Sequence, residues 1–193
     1  EIITRDQLVL IDLWCKENRT GSVYADITWT AWTGAQPPDD VLFVFEVVKE
    51  ARDAVIDAVK DAFKKHEFVT GAELDRIARN KITECGYGKF FVHRTGHSLG
   101  QDVHGAGANL DSLESEDERR ILPGTGFTIE PGVYLPDRFG IRSELNVVIM
   151  PGGKPTMFFS IMMFGAPGVE IMYPDPGFPI YRSMIEATGA KPV

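Results

Sequence analysis

Hydrophobic positions along this chain follow two rhythms, and the rhythm changes near residue 41. Leu8-Val-Leu-Ile-Asp-Leu-Trp14 is a short, β-rich apolar run that predicts a buried strand with Asp12 in its middle. Lys16 to Gly21 has turn chemistry, and Ser22 to Thr30 predicts the returning strand, so that Asp12 and Asp26 come near each other across a hairpin. Asp is depleted in strands, and a buried carboxylate is costly unless it is paired, hydrogen-bonded or bound to metal. After a Pro-Pro-Asp-Asp connector, in which Asp39 or Asp40 can cap the next element, Val41, Val44, Val48, Val55, Val59 and Ala62 recur at helical spacing. They predict an amphipathic helix to about Lys65 whose stripe is core. Thr70-Gly-Ala-Glu73 is a capping-box pattern, opening a second helix through Leu74, Ile77, Ala78 and Ile82 that Gly86 is placed to stop.

Further along, Asn109 to Arg120 is polar and acidic and predicts loop with a short helix. Leu122 to Gly126 is a turn into a strand, Phe127 to Gly132, which carries Glu130 just before Pro131-Gly132. A turn-rich excursion over Val133 to Phe139 leads to a strand from Gly140 to Met150, with Glu144 beside Arg142. Two hairpins, each with an acid in either arm, therefore flank the middle of the chain. The run Met157 to Phe164 predicts a strand or buried edge, and the Pro- and Gly-rich stretch from Gly165 to Pro179 a loop. The expected division is a core over residues 1–150 and a strand-and-loop tail of the same domain over 151–193.

That middle is Phe91 to Gly105, which holds His93, His97 and His104, three of the four histidines in the sequence, interleaved with Gly96, Gly100 and Gly105. Glycines at that density disfavour a plain helix and point to loop or strand-like backbone brought close to something small. Imidazole is the commonest protein ligand for zinc-like metals and the usual acid/base near neutral pH. Asp12, Asp26, His97, Glu130 and Glu144 together supply oxygen donors and one nitrogen, a set suited to divalent manganese, cobalt, iron or zinc. Five side chains exceed the need of one ion. Two ions clamping a water as a bridging hydroxide are the natural inference.

A net charge of −8 disfavours nucleic acid or an anionic membrane as partner. Cys15 and Cys85 form no disulfide framework, so a reducing, cytoplasmic location is expected. No apolar run is long enough to span a bilayer.

His93-x-x-x-His97-x-x-Gly100-x-x-x-His104, then Ile129-Glu130-Pro131-Gly132, then Ile141-Arg142-x-Glu144, preceded by Asp12 and Asp26-Ile-Thr-x-Thr30, resemble the pita-bread metallopeptidases. The branch they are most similar to is the Xaa-Pro aminopeptidases and prolidases. The resemblance runs from about Leu8 to Met150 and implies an α+β fold with a curved antiparallel sheet and flanking helices. It also implies hydrolysis of the bond between an N-terminal residue and proline, with two divalent ions, manganese foremost. On it, Asp12 chelates one ion, Asp26 and Glu144 bridge, and His97 and Glu130 bind the other, Glu130 also taking the proton of the bridging water. His93 and His104 orient substrate and stabilise the tetrahedral intermediate, and Arg142 fixes neighbouring carboxylates.

Three departures accompany the match. The turn between Asp12 and Asp26 is longer than usual, Trp29 stands where an arginine is usual, and Leu145 replaces a common polar neighbour of the last ligand. The helices over Val41 to Cys85 resemble those of the second half of the family's pseudo-twofold fold only. The expectation is therefore a fold truncated in its first half, with a peptide substrate and either a homo-oligomer or a partner chain that completes it. The rival readings are a non-catalytic binding or regulatory module of the same fold, and a metal hydrolase acting on another small amide or ester.

Overall fold

The longest regular element is helix α1 (Asp39–Lys65), and its buried face is Val41, Val44, Val47, Val48, Ala51, Val55 and Val59. Each such valine contributes about 1.5 kcal/mol or more on burial, which leaves the charged residues between them free to face water. The computed structural model describes residues 2–150, 153–173 and 180–193. Neither Asp39 nor Asp40 caps α1 from outside. Pro38, with φ −60°, occupies the cap position, and both acids sit in the first turn, where their charge meets the helix dipole. Helix α2 (Gly71–Glu84) carries the expected capping box: Thr70 Oγ1 accepts from the Glu73 amide at 3.3 Å, and the Glu73 carboxylate accepts from the Thr70 amide at 2.7 Å. Leu74, Ala78 and Ile82 of α2 join the valines of α1 in one core.

Strands β1 (Leu8–Cys15) and β2 (Ala25–Trp32) pair antiparallel, with Asp12 opposite Thr28, Trp14 opposite Asp26, Ile11 opposite Trp29 and Leu13 opposite Ile27. Alternation therefore puts Asp12, Trp14, Asp26 and Thr28 on one face and Ile11, Leu13, Ile27 and Trp29 on the other. The expectation of a buried first strand is not met, because Leu13 is 61% and Trp14 56% exposed. An apolar run says what a strand would bury, not that a second layer is there to bury it.

The late hairpin is also more divided than expected. β3 (Ser98–Leu99), β4 (Gly126–Ile129) and β7 (Leu145–Val148) form one sheet in the order β3-β4-β7. β5 (Gly132–Leu135) and β6 (Phe139–Arg142) form a hairpin of their own, closed through Asp137 at φ 57°. The excursion over 133–139 is thus a β-hairpin, and the strand over 140–150 is two strands. The break falls at Pro131 on one arm and Ser143-Glu144 on the other. Pro131 has no N–H to give the ladder, and the two arms meet there through Ser143 N–H and the Pro131 carbonyl at 3.4 Å. The short helix expected within 109–120 is replaced by turns. Asp111 accepts from the amides of Leu113, Glu114 and Ser115, and Asp117 from those of Asn109 and Arg119, so side chains take the donors a helix would have used.

The chain divides into two compact units, Glu1–Ile149 and Met150–Val193. The second contains α3 (Gly153–Phe164), β8 (Glu170–Ile171), α4 (Ile180–Ala187) and β9 (Lys191–Pro192), with β8 and β9 parallel and Ile161, Ile185 and Ala190 buried together. The strand expected over 157–164 is a helix. Nearly every position there is apolar, so no period separates the two states, and the methionines favour helix. The loop expected over 165–179 contains β8, and its residues 174–179 lie outside the described residues. Among the described residues no helix is long and apolar enough to cross a membrane.

Candidate metal centre

The inner face of the β1–β2 hairpin looks onto the break between the β4–β7 pair and the β5–β6 hairpin, and the carboxylates collect there. Asn146 on β7 ties the two hairpins together, accepting from the Asp26 amide at 3.0 Å and donating to the Asp26 carbonyl. Glu144 follows at the break, and its carboxylate accepts from Thr28 Oγ1 at 2.6 Å. His97 comes in on the third side. A Cβ on Gly96 would stand 2.0 Å from the Thr128 carbonyl oxygen, so only glycine lets this segment lie so close to β4. That approach places the His97 amide 2.9 Å from Thr128 Oγ1, which in turn donates to Glu130 at 3.0 Å.

His97 Nδ1 lies 3.1 Å from the Ser98 carbonyl, which can only accept. Nδ1 therefore carries the proton and Nε2 presents a lone pair, 3.4 Å from Asp26 Oδ2 and 3.3 Å from Glu130 Oε1. Burial lowers the His97 pKa to about 4, so the ring is neutral at ordinary pH. The acids move the other way. Burial, and then the charge of Glu144, raise Glu130 to about 8. Burial raises Glu144 to about 7 against the opposing Thr28 hydrogen bond. Asp26 is raised by burial and then by Asp12.

Donor atoms of Asp26, His97 and Glu144 all lie within 4.8 Å of one another. Two buried carboxylate oxygens, Asp26 Oδ1 and Glu144 Oε1, have no hydrogen-bond partner. Buried acids that repel each other, carry orphaned oxygens and face an imidazole lone pair fit divalent cations. Asp12 is placed differently: its side chain is 37% exposed at the rim and ion-paired with Arg142.

The eight residues singled out from the sequence, Asp12, Asp26, His93, His97, His104, Glu130, Arg142 and Glu144, all line one cavity of about 490 Å³, together with Trp14, Arg94, Val103 and Glu114. The ring of His104, an exposed residue, meets that of His97 edge-on at 4.5 Å. His93 Nδ1 donates to the Arg94 carbonyl at 2.7 Å, leaving Nε2 to accept from the Tyr134 hydroxyl at 2.8 Å. Arg142 donates to Thr28 Oγ1 at 2.9 Å and to the Tyr134 oxygen at 3.4 Å. Sequence reasoning gave Thr28, Tyr134 and Asn146 no role. Thr28 was findable, since it shares the strand face of Asp26, but nothing local marks Tyr134 or Asn146.

Comparison with known proteins agrees with this geometry. The profile of metallopeptidase family M24 matches residues 1–151. Xaa-Pro dipeptidases from Lactobacillus delbrueckii subsp. lactis and Pyrococcus furiosus are each 36% identical over 151 residues, 78% of this chain. The chain spans only 37% and 39% of their lengths. Among solved structures, the prolidase from Pyrococcus furiosus superposes with a TM-score of 0.61 at 32% identity, over 78% of this chain and 41% of that one. The X-Pro aminopeptidase from Thermotoga maritima gives 0.62 at 32% identity, over 78% and 39%. These neighbours have the pita-bread fold, which is the fold of this chain's mixed helices and antiparallel strands. On its sequence and its fold, the chain belongs to metallopeptidase family M24.

Proposed function

We propose that this protein hydrolyses the peptide bond between an N-terminal residue and proline, using two divalent metal ions held by Asp12, Asp26, His97, Glu130 and Glu144. The observation that carries the reading is the buried cluster of Asp26, His97, Glu130 and Glu144, in which two carboxylate oxygens lack partners and a neutral imidazole points its lone pair inward. Divalent ions bound by such a set lower the pKa of water and polarise a carbonyl oxygen. Manganese is the ion we expect, with cobalt, zinc and iron as alternatives.

This chain's own groups supply the rest. Glu130 accepts a proton at its carboxylate, and its burial keeps that site proton-avid. His93 and His104 stand on the cavity wall to orient the peptide and stabilise charge on the attacked carbonyl. Arg142 holds Asp12 and Thr28 in place, and Thr28 in turn holds Glu144. Trp14 and Val103 give the cavity an apolar wall beside the charged one, a surface suited to a proline ring. A small peptide is the substrate partner this reading calls for. The exposed apolar outer face of the β1–β2 hairpin is suited to a second protein surface.

Turnover of an Xaa-Pro dipeptide by the manganese-loaded protein tests the proposal, with metal content measured on the same sample. Glu130→Gln should abolish turnover and leave the fold intact. Metal binding without turnover would instead mark a non-catalytic module of the same fold, and unchanged turnover in the variant would remove Glu130 from its assigned role.

A further inference from the structure

Helix α2 contributes nothing to the cavity wall, yet it holds the backbone on which the histidines stand. Asp75 is fully buried. Its Oδ1 accepts from the Thr95 amide at 2.8 Å and the Thr95 hydroxyl at 2.6 Å, and its Oδ2 from the Ser112 amide at 3.1 Å and the Ser112 hydroxyl at 2.6 Å. Arg79, one turn on, closes a two-point pair with the same carboxylate at 3.0 and 3.1 Å. Its remaining donors reach the Phe91 carbonyl at 3.0 Å and the His93 carbonyl at 2.8 Å, while its guanidinium lies 4.3 Å from the centre of the Phe91 ring. Segment 91–95 is thus gripped at residues 91, 93 and 95 by one ion pair. From Thr95 the connection continues, since its carbonyl accepts the Glu130 amide at 2.7 Å.

A buried ion pair is a poor device for stability alone, because apolar residues of the same volume often do as well. It is a good device for fixing backbone groups at set distances, since a guanidinium presents several donors in one rigid plane. We propose that Asp75 and Arg79 are positioning residues for the cavity, setting the register of segment 91–95 and with it the place of the His93 imidazole. Neither residue touches the cavity, and the proposal rests on the hydrolase reading above only for its kinetic test.

Arg79→Lys keeps the charge for Asp75 but cannot span two carbonyls and a carboxylate at once. In the manganese-loaded protein it should lower kcat/KM for an Xaa-Pro dipeptide at least 10-fold with metal content unchanged. In a His93→Ala background the same substitution should cost less than 2-fold, because the group it positions is gone. Equal losses in both backgrounds would reduce the pair to a structural role and overturn the proposal. If Arg79→Lys does not fold, Thr95→Val removes one hydrogen bond of the same network and should show the same background dependence. If the parent hydrolyses no Xaa-Pro peptide, the hydrolase reading fails but this one is still read out by nuclear magnetic resonance. In histidine labelled with ¹⁵N, Arg79→Lys should shift the His93 Nε2 signal and leave that of His66, at the far end of α1, in place; an unmoved His93 signal would overturn it.

Discussion

Glu130→Gln should make the metal-free protein more stable in mild alkali, because the parent pays there for an ionised carboxylate that no cation offsets. The Glu130 side chain is only 13% exposed. Burial and the Glu144 charge hold its proton until about pH 8, whereas the unfolded chain releases it near the ordinary value of 4.5. Between those values the native state binds a proton that the unfolded state has lost, so stability falls as pH rises through the window. The slope is about 1.4 kcal/mol per pH unit for one proton. Because part of the repulsion is shared with Glu144, we expect a net cost of about 3 kcal/mol at pH 8. Glutamine matches the protonated acid in shape, keeps an acceptor for Thr128 Oγ1, and cannot ionise. The assay is urea denaturation of chelator-treated parent and variant at pH 5 and pH 8. Their stabilities should agree at pH 5 to within about 1 kcal/mol, and the variant should lead by about 3 kcal/mol at pH 8. His97, whose pKa falls to about 4, makes stability fall on acidification below 6.5, but it does so in both proteins and cancels in the difference. A variant no more stable than the parent at pH 8 would refute the claim that Glu130 is a buried acid lacking its cation. Manganese should then favour the parent, by about 2.7 kcal/mol at a hundredfold excess over its Kd.

Other expectations rest on the same contacts. Thr28→Val removes the donor to Glu144 and the acceptor for Arg142; it should destabilise by about 2 kcal/mol and raise the pH needed for half-maximal manganese binding, as monitored by calorimetry. Gly96→Ala should cost about 3 kcal/mol in urea denaturation and weaken metal binding, because the new Cβ would displace the Thr128 carbonyl and with it His97. Thr70→Ala, by contrast, removes the cap of α2 and should cost about 1 kcal/mol in thermal melts while metal affinity stays unchanged.

Much of the candidate site was legible because each proposed ligand breaks a local rule. Asp12 and Asp26 sit in strands where Asp is disfavoured, Glu130 and Glu144 interrupt apolar runs, and three histidines share one Gly-rich segment. Such violations persist where something outside local structure compensates them. The helices were legible for the opposite reason: the valines of α1 and the Thr70–Glu73 box obey local rules throughout. The elements that escaped are those defined by a partner. The hairpin of β5 and β6 hides inside a turn-rich stretch, and α3 carries no period that excludes a strand.

The amino-acid order by itself determined the two helices, the first hairpin with Asp12 and Asp26 on a common face, and which side chains could bind metal. Those properties depend on neighbours within a few residues, through backbone period, capping and the cost of a carboxylate among apolar groups. Only the tertiary structure decided that Asp26, His97 and Glu144 meet within 4.8 Å, that Asp12 stands apart with Arg142, and that Asp75 and Arg79 hold the histidine segment from behind. Thr28 and Glu144, 116 residues apart, share a hydrogen bond because two hairpins pack together. Contacts at such separation come from how faces are matched across the core, which no short stretch of sequence records.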